Sequence, residues 1–202
     1  MDVSVAETSP GRAGRALRTR LAVQRAAIEL CIEHGFAATS AKAIAERAGV
    51  SERTLFRTFP TKAAIFWYEP FLSQVIRVLT ERDAAADPVA ALRDAVRAVA
   101  AAITDEEWRL ERGRRAVILR EDDLIATGTQ EINRAATRIA ELLTPADAPP
   151  DLAYRTTLFA RFAAVGFGIV PIYSDTTTAE WGEALAGVVL LAARGPLPAG
   201  QE

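Results

Sequence analysis

Few side chains in this sequence could carry reaction chemistry. The chain of 202 residues has one histidine, His34, and one cysteine, Cys31, too few for a His-rich metal site or a Cys–His nucleophile. Glu121, Asp122 and Asp123 form a carboxylate run, which reads as solvated charge between two helices rather than as an acid–base pair. No Gly-rich loop follows a strand in the manner of a phosphate cradle. No catalytic residue, metal or cofactor is therefore expected. The remaining chemistry is cationic. Arg12, Arg15, Arg18, Arg20 and Arg25 follow one another without an intervening acid, the pattern of an arm that can lie along phosphates. Further on, a short segment opened by Ser51 directs Glu52, Arg53, Phe56, Arg57 and Thr58 outward while Leu55 and Phe59 point inward.

Charge is distributed unevenly. The whole chain carries a formal charge of −2, yet residues 1–68 hold ten Lys and Arg against six Asp and Glu, while residues 69–202 hold fourteen against twenty. The first third is a basic head on an acidic body, and only the head has the electrostatic footprint of a nucleic-acid partner. Half the residues are apolar and a quarter charged, which is globular composition, and the long Ala-, Leu-, Arg- and Glu-rich segments favour helix. The single cysteine and the lack of a signal segment lead to the expectation of a cytoplasmic protein. The longest apolar runs fall short of the roughly 20 residues of a spanning helix, so no membrane partner is expected.

The elements that position the basic residues follow from local signals. Residues 1–16 read as a flexible basic leader. A first helix carries Val23, Ala26, Ala27, Leu30 and Cys31 at three- and four-residue steps and stops at Gly35, with His34 in its last turn. Thr39 or Ser40 caps a second helix with Ile44, Ala45 and Ala48 inward. That helix ends at Gly49, which accepts the left-handed backbone of a tight turn. Ser51 caps the third, and two short helices joined by a Gly turn make a helix-turn-helix. Pro60 ends it, and Thr61 opens a fourth helix, expected to kink near Tyr68–Phe71 because Pro70 lacks an amide and clashes with the preceding turn. A fifth helix opens near Asp87 and Pro88 and carries Leu92, Val96 and Val99. A sixth opens on a Thr104–Glu107 capping box and contains Trp108, Val117 and Ile118, and a seventh carries Ile132, Ile139 and Leu143. The eighth runs from about Asp151 to Ile172. The ninth follows a Thr177–Glu180 capping box with Trp181, Leu185, Val188 and Leu191. The fold class is all-α, with about nine helices: leader 1–16, helix-turn-helix domain 17–65, ligand-binding and dimerisation domain 66–194, tail 195–202.

From Arg20 to Ile65 the chain resembles the DNA-binding domain of the TetR family of bacterial transcriptional regulators. The residues that carry the resemblance are Ala26–Ala27, Leu30, Gly35–Phe36, Thr39–Ser40, Ile44–Ala45, Ala48–Gly49–Val50–Ser51, Thr54–Leu55–Phe56, Phe59 and Thr61–Lys62. The sequence departs from the family's pattern at Arg53, where a small residue is common, and at Pro70. The resemblance implies a homodimer whose third helices enter successive major grooves of a pseudo-palindromic double-stranded operator, the half-sites lying about 34 to 36 Å apart. It implies that Ser40, Lys42, Ser51, Phe56, Thr58 and Lys62 position the DNA backbone, and that Glu52, Arg53 and Arg57 are the candidates to reach base edges. Hydroxyls and helix N-terminal amides suit phosphate, and Arg suits guanine O6 and N7.

The eighth and ninth helices are apolar on faces too broad for one neighbour. Phe162, Val165, Phe167, Ile169, Val188 and Leu191 are the expected dimer interface, the pair to which the resemblance also points. Trp67, Tyr68, Phe71, Trp108 and Phe159 are candidates to line a pocket for a small, flat, apolar effector, though core packing explains the same residues. The reading is therefore a DNA-binding transcriptional regulator, a repressor released by an effector. Two alternatives stay open: an all-helical enzyme, or a helical small-molecule-binding protein that keeps the head without using it.

Overall fold

A computed structural model of the chain describes residues 11–82, 87–170, 172–173 and 175–194, with the side chains of residues 12, 13 and 169 excepted. Among the described residues there are ten α-helices: α1 (Arg12–His34), α2 (Ala41–Arg47), α3 (Glu52–Thr58), α4 (Lys62–Phe66), α5 (Pro70–Thr80), α6 (Pro88–Ala101), α7 (Asp105–Ile118), α8 (Asp122–Leu143), α9 (Pro150–Ile169) and α10 (Thr178–Arg194). Every regular element among the described residues is a helix, in keeping with the composition. None of the described helices is long and apolar enough to cross a membrane.

Helix starts are set by short side chains that satisfy orphan amides. Ser40, Ser51 and Thr61 accept from the amides of Ala43, Thr54 and Ala64. Thr104 and Glu107 close a reciprocal capping box, and Thr177 with Glu180 makes the same pair of bonds at α10. Asp87 caps the Val89 amide, with Pro88 at the first helical position. Gly35 and Gly49 take positive φ, +85° and +66°, at the ends of α1 and α2, where a Cβ is disfavoured.

Three elements differ from the sequence-based expectation. Helix α1 begins at Arg12, so residues 12–16 of the expected leader are helical. Gly14 lies within this extra turn and costs about 1 kcal/mol relative to alanine, but Arg15, Ala16, Leu17 and Arg18 are strong helix formers and no proline interrupts them. Residues 1–10 of the leader and the tail 195–202 lie outside the described residues. Pro70 does not kink one helix. Helix α4 ends at Phe66 and Pro70 opens a separate helix, α5, because proline costs nothing at a first position, where the amide would be unpaired anyway. This raises the expected nine helices to ten. The eighth predicted helix corresponds to α9, which stops at Ile169 rather than Ile172.

The described residues divide into two compact units. One comprises the residues up to Glu69 together with Thr104–Gly128, the other Pro70–Ile103 together with the residues from Thr129 onward. The expected boundary at residue 65 leaves out α7 and the start of α8, which belong with the head: Val117, Ile118 and Leu124 share one buried cluster with Val23, Ala27, Ile44, Leu55 and Phe66. Gly113 makes the α1–α7 contact possible, since a Cβ there would fall 2.8 Å from Ile28. In the second unit α5, α6 and α10 bury Val75, Leu92, Val96, Trp181 and Leu185. Gly182 lets α10 close on Ala100, where a Cβ would sit at 2.7 Å, and Arg97 grips Glu183 with two hydrogen bonds, at 2.9 and 2.6 Å.

Candidate nucleic-acid interface

Helix α3 is held from one side and free on the other. Leu55 is fully buried, and Phe59, which ends the helix, is 4 % exposed; they anchor the inner face. Ser51, Glu52, Arg53 and Arg57 are exposed, and Phe56 retains 47 % of its surface. Ser51 Oγ lies 3.0 Å from Thr54 Oγ1, and Thr58 donates its hydroxyl to the Thr54 carbonyl at 2.7 Å. The exposed face thus carries two guanidinium groups, one carboxylate and one aromatic ring on a fixed backbone. Ser40 and Lys42 are exposed at the start of α2.

Lys62 is placed differently from a freely projecting phosphate ligand. Its ammonium donates to the carbonyls of Phe36 and Thr39, at 2.6 and 3.0 Å, and lies 4.0 Å from the Phe36 ring centroid. It straps the turn between α1 and α2 to the start of α4, and one of its three protons is left for an outer partner.

Several supporting residues carry no sequence signal at the level of motif. Gln24 is buried in α1 and donates its amide to the carbonyls of Ile65, at 2.9 Å, and Tyr68, at 2.6 Å, holding the end of α4. Arg114, 2 % exposed, donates to the Phe66 carbonyl at 2.9 Å, to Glu69 at 2.7 Å, and twice to Glu111, at 2.9 and 2.8 Å. Arg115 reaches the same Glu111 at 2.8 Å. Burial, the largest influence on Glu111, pushes its carboxyl up, but the combined charges and hydrogen bonds of Arg114 and Arg115 outweigh it and hold the group at about 2. A carboxylate in a charged window is the only signal that could have marked it.

The five pocket candidates are split between the two units. Trp67 donates its indole N–H to the Leu124 carbonyl at 2.9 Å and lies close enough to α8 that a Cβ at Gly128 would fall 2.1 Å from the ring. Tyr68 packs edge-on against Phe59 at 5.9 Å, with the Arg20 guanidinium 5.8 Å from its ring centroid. Burial pushes the Tyr68 hydroxyl up, and Arg20 opposes it. Trp108 is buried beside Arg112 in the same unit. Phe71, at 4.7 Å from Trp181, and buried Phe159 belong to the second. Of the expected interface residues, Phe162, Val165 and Leu191 are half or more exposed, Val188 is half-buried, and Phe167 is buried. The side chain of Ile169 lies outside the described set.

Residues 24–67 match the family model described as bacterial regulatory proteins, tetR family. Over 105 residues the chain is 38 % identical to a protein of Mycobacterium tuberculosis provisionally named mycofactocin biosynthesis transcriptional regulator; the match covers 50 % of this chain and 51 % of that relative, so this chain spans about half the length of the curated relative it matches. Among solved structures, Salmonella enterica GusR aligns at 20 % identity over 92 % of this chain and 95 % of its own, with a TM-score of 0.49. Thermus thermophilus FadR, a TetR-family repressor solved with lauroyl-CoA, aligns at 23 % identity over 90 % and 100 %, with a TM-score of 0.46. A likeness at that level says nothing of this chain's own ligand. The segment that matches the tetR family model begins within α1 and ends on Trp67, enclosing the capped helix-turn-helix and its anchored third helix.

Proposed function

We infer that the protein is a sequence-specific DNA-binding transcriptional regulator, a homodimeric repressor released by a small molecule. The observation that carries this reading is the two-sided character of α3, with an apolar edge locked into the head and a polar edge of Glu52, Arg53, Phe56 and Arg57 left open. A helix of this kind fits the major groove, where each base pair displays a distinct pattern of donors and acceptors. Ser40, Ser51 and Lys42 stand at helix starts, where hydroxyls, amides and an ammonium suit phosphate. Arg53, on the first turn of α3, is the reader of base edges, with Glu52 able to accept from cytosine N4.

The homodimer is read onto α9 and α10. Tyr154, Leu158, Phe162 and Val165 form an exposed apolar stripe at helical spacing on α9, and Leu191 is exposed on α10. A two-fold pairing through such a stripe supplies the symmetry that a palindromic operator demands. For the effector, Phe71 and Phe159 are the remaining aromatic candidates of the second unit, since Trp67 and Tyr68 are engaged in packing the head. An effector releases DNA only by binding one state of the dimer more tightly than the other.

Selection of bound fragments from a random pool of duplex DNA tests the assignment. Recovery of a two-fold symmetric motif with half-sites one helical turn apart, bound with steep salt dependence, is the expected result. No enrichment over the input pool, or binding that ignores salt, would remove the regulator reading and leave a helical small-molecule-binding protein.

A further inference from the structure

The arginines of the head fall into two groups. Arg25 and Arg47 are neutralised, by Glu106 at 2.6 Å and by Glu33 at 3.1 Å. Arg18 and Arg20 on α1, and Arg53 and Arg57 on α3, form no ion pair among the described residues. Two of these four line one cleft. It has a volume of about 200 Å³ and is walled by Ala16, Thr19, Arg20, Arg57 and Thr58. Thr19 and Thr58 direct their hydroxyl protons to the carbonyls of Arg15, at 3.0 Å, and Thr54, at 2.7 Å. The two guanidinium groups are therefore the cleft's donors. A small cleft with two cations and no carboxylate in its wall selects an anion, and the fork of each guanidinium matches the non-bridging oxygens of a phosphate.

The position of Arg20 is tied to the third helix. Its guanidinium stacks over Tyr68 at 5.8 Å, a cation–π contact that restrains a long side chain. Tyr68 is itself fixed, by its ring against Phe59 at 5.9 Å and by its carbonyl, which accepts from Gln24 at 2.6 Å. Phe59 is the residue that ends α3. The cleft thus joins α1 to the last turn of α3, beside the face offered to the groove, where the nearest anion in a complex is the DNA backbone.

We propose that Arg20 and Arg57 together clamp one backbone phosphate of bound duplex DNA. Arg57 then sets the register of α3 and does not read bases, which leaves base preference to Arg53 and Glu52. The clamp rests on the DNA-binding reading above. It differs from a general basic patch in one respect: both arginines serve the same phosphate.

The test uses the full-length chain, a fluorescently labelled random-sequence duplex and the operator recovered by selection. Binding is measured by anisotropy across a sodium chloride series for the wild type, Arg20→Gln, Arg57→Gln and the double variant. Both substituted side chains are exposed, so folding is preserved; the circular dichroism spectrum checks it. Each single variant is expected to weaken binding to both duplexes by the same factor and leave the preference at every base position unchanged, whereas Arg53→Gln relaxes one position. The double variant is expected to reduce the slope of log affinity against log salt by about 0.9 per head, the signature of one lost phosphate contact. A reduction of about 1.8 per head, which two separate phosphates would give, or no reduction, overturns the clamp. So does a base preference altered by Arg57→Gln alone. Replacing chloride by inorganic phosphate at equal ionic strength is expected to weaken wild-type binding by no more than the double substitution does, because free phosphate competes for the same cleft, and to leave the double variant unaffected; inorganic phosphate that binds the wild-type chain through both arginines without weakening its binding of DNA would mark a free-phosphate site and overturn the assignment to DNA. Absence of salt-dependent binding by the wild type sinks the DNA-binding reading itself and is told apart from failure of the clamp by that control.

Discussion

Replacing Arg114 by methionine keeps most of the side-chain volume and removes the charge that organises the interior of the head. Four hydrogen bonds go with it: two to Glu111, one to Glu69 and one to the Phe66 carbonyl at the end of α4. Removing one partner of a buried ion pair typically costs about 3 to 5 kcal/mol, because the other charge stays buried without compensation. Here Glu111 keeps Arg115 at 2.8 Å, and Glu69 is partly open to water, so the lower end applies, about 3 kcal/mol. For a chain of this size that corresponds to a fall in Tm of about 6 to 12 °C. The pH dependence gives an independent signature. The carboxyl of Glu111 is held at about 2 against an ordinary value of 4.5, so its pairing stabilises the native state fully above the ordinary value and is lost as pH falls through the native one. Without Arg114, burial favours the protonated acid, so acid relieves the variant while it weakens the wild type. The stability gap between them should narrow as pH drops from about 4.5 towards 2. Urea unfolding followed by tryptophan fluorescence measures it, with Trp67 and Trp108 reporting from this unit. Arg114→Met combined with Glu111→Gln should recover at least about 1 kcal/mol over the single variant, since a neutral amide needs no counter-charge. A gap independent of pH, or a double variant no more stable than the single, would show that the network does not hold the head together.

Two further substitutions probe the support of α3. Lys62→Ala leaves two carbonyls, of Phe36 and Thr39, without their ammonium and should cost the head about 1 to 2 kcal/mol in urea unfolding, besides weakening binding about equally across operator variants; unaltered stability would mean the strap is unimportant. Gly128→Ala places a methyl 2.1 Å from the Trp67 ring, so overpacking of about 1 to 3 kcal/mol should outweigh the gain in helix propensity of about 1 kcal/mol. A Gly128→Ala protein more stable than the wild type in thermal melts would contradict that contact.

The features legible in the sequence are those decided within a few residues. Ser51 caps α3 through the amide three residues on, Thr104 and Glu107 answer each other at the same spacing, and Gly49 turns because its neighbours cannot take positive φ so easily. Leu55 and Phe59 could be placed inward because the period of an amphipathic helix is a local property. What escaped was settled by distant partners. The stretch from Glu111 to Arg115 looks like a solvated charged face, and it is buried only because the Phe66 carbonyl and Glu69 meet it across 48 and 45 residues of chain. Tyr68 has the composition of a pocket wall, yet Phe59 and Arg20 claim it for the head. Pro70 was readable as a disruption, but whether a proline bends a helix or begins one depends on whether the turn before it survives. Here Trp67 turns away to α8, and the helix restarts.

Charge shows the same division between local and distant information. Ten cations precede residue 69, and their sum describes a basic head without saying which of them remain available. Pairing decides that. Arg25 and Arg47 are tied to acids on the head's own surface, and Lys62 is tied to two backbone carbonyls with one proton left over; each gives part of its charge to the scaffold. Among the described side chains, Arg18, Arg20, Lys42, Arg53 and Arg57 form no ion pair. In the proposed complex, unpaired cations would meet phosphate without first giving up an ion pair, and a frame that is already rigid would add little ordering cost. For the proposed complex the net charge of the whole chain matters less than the local field: at ordinary ionic strength the interaction of exposed charges more than about 8 to 10 Å apart is screened, so the exposed edge of α3 and the flank of α1 would set the field that DNA meets.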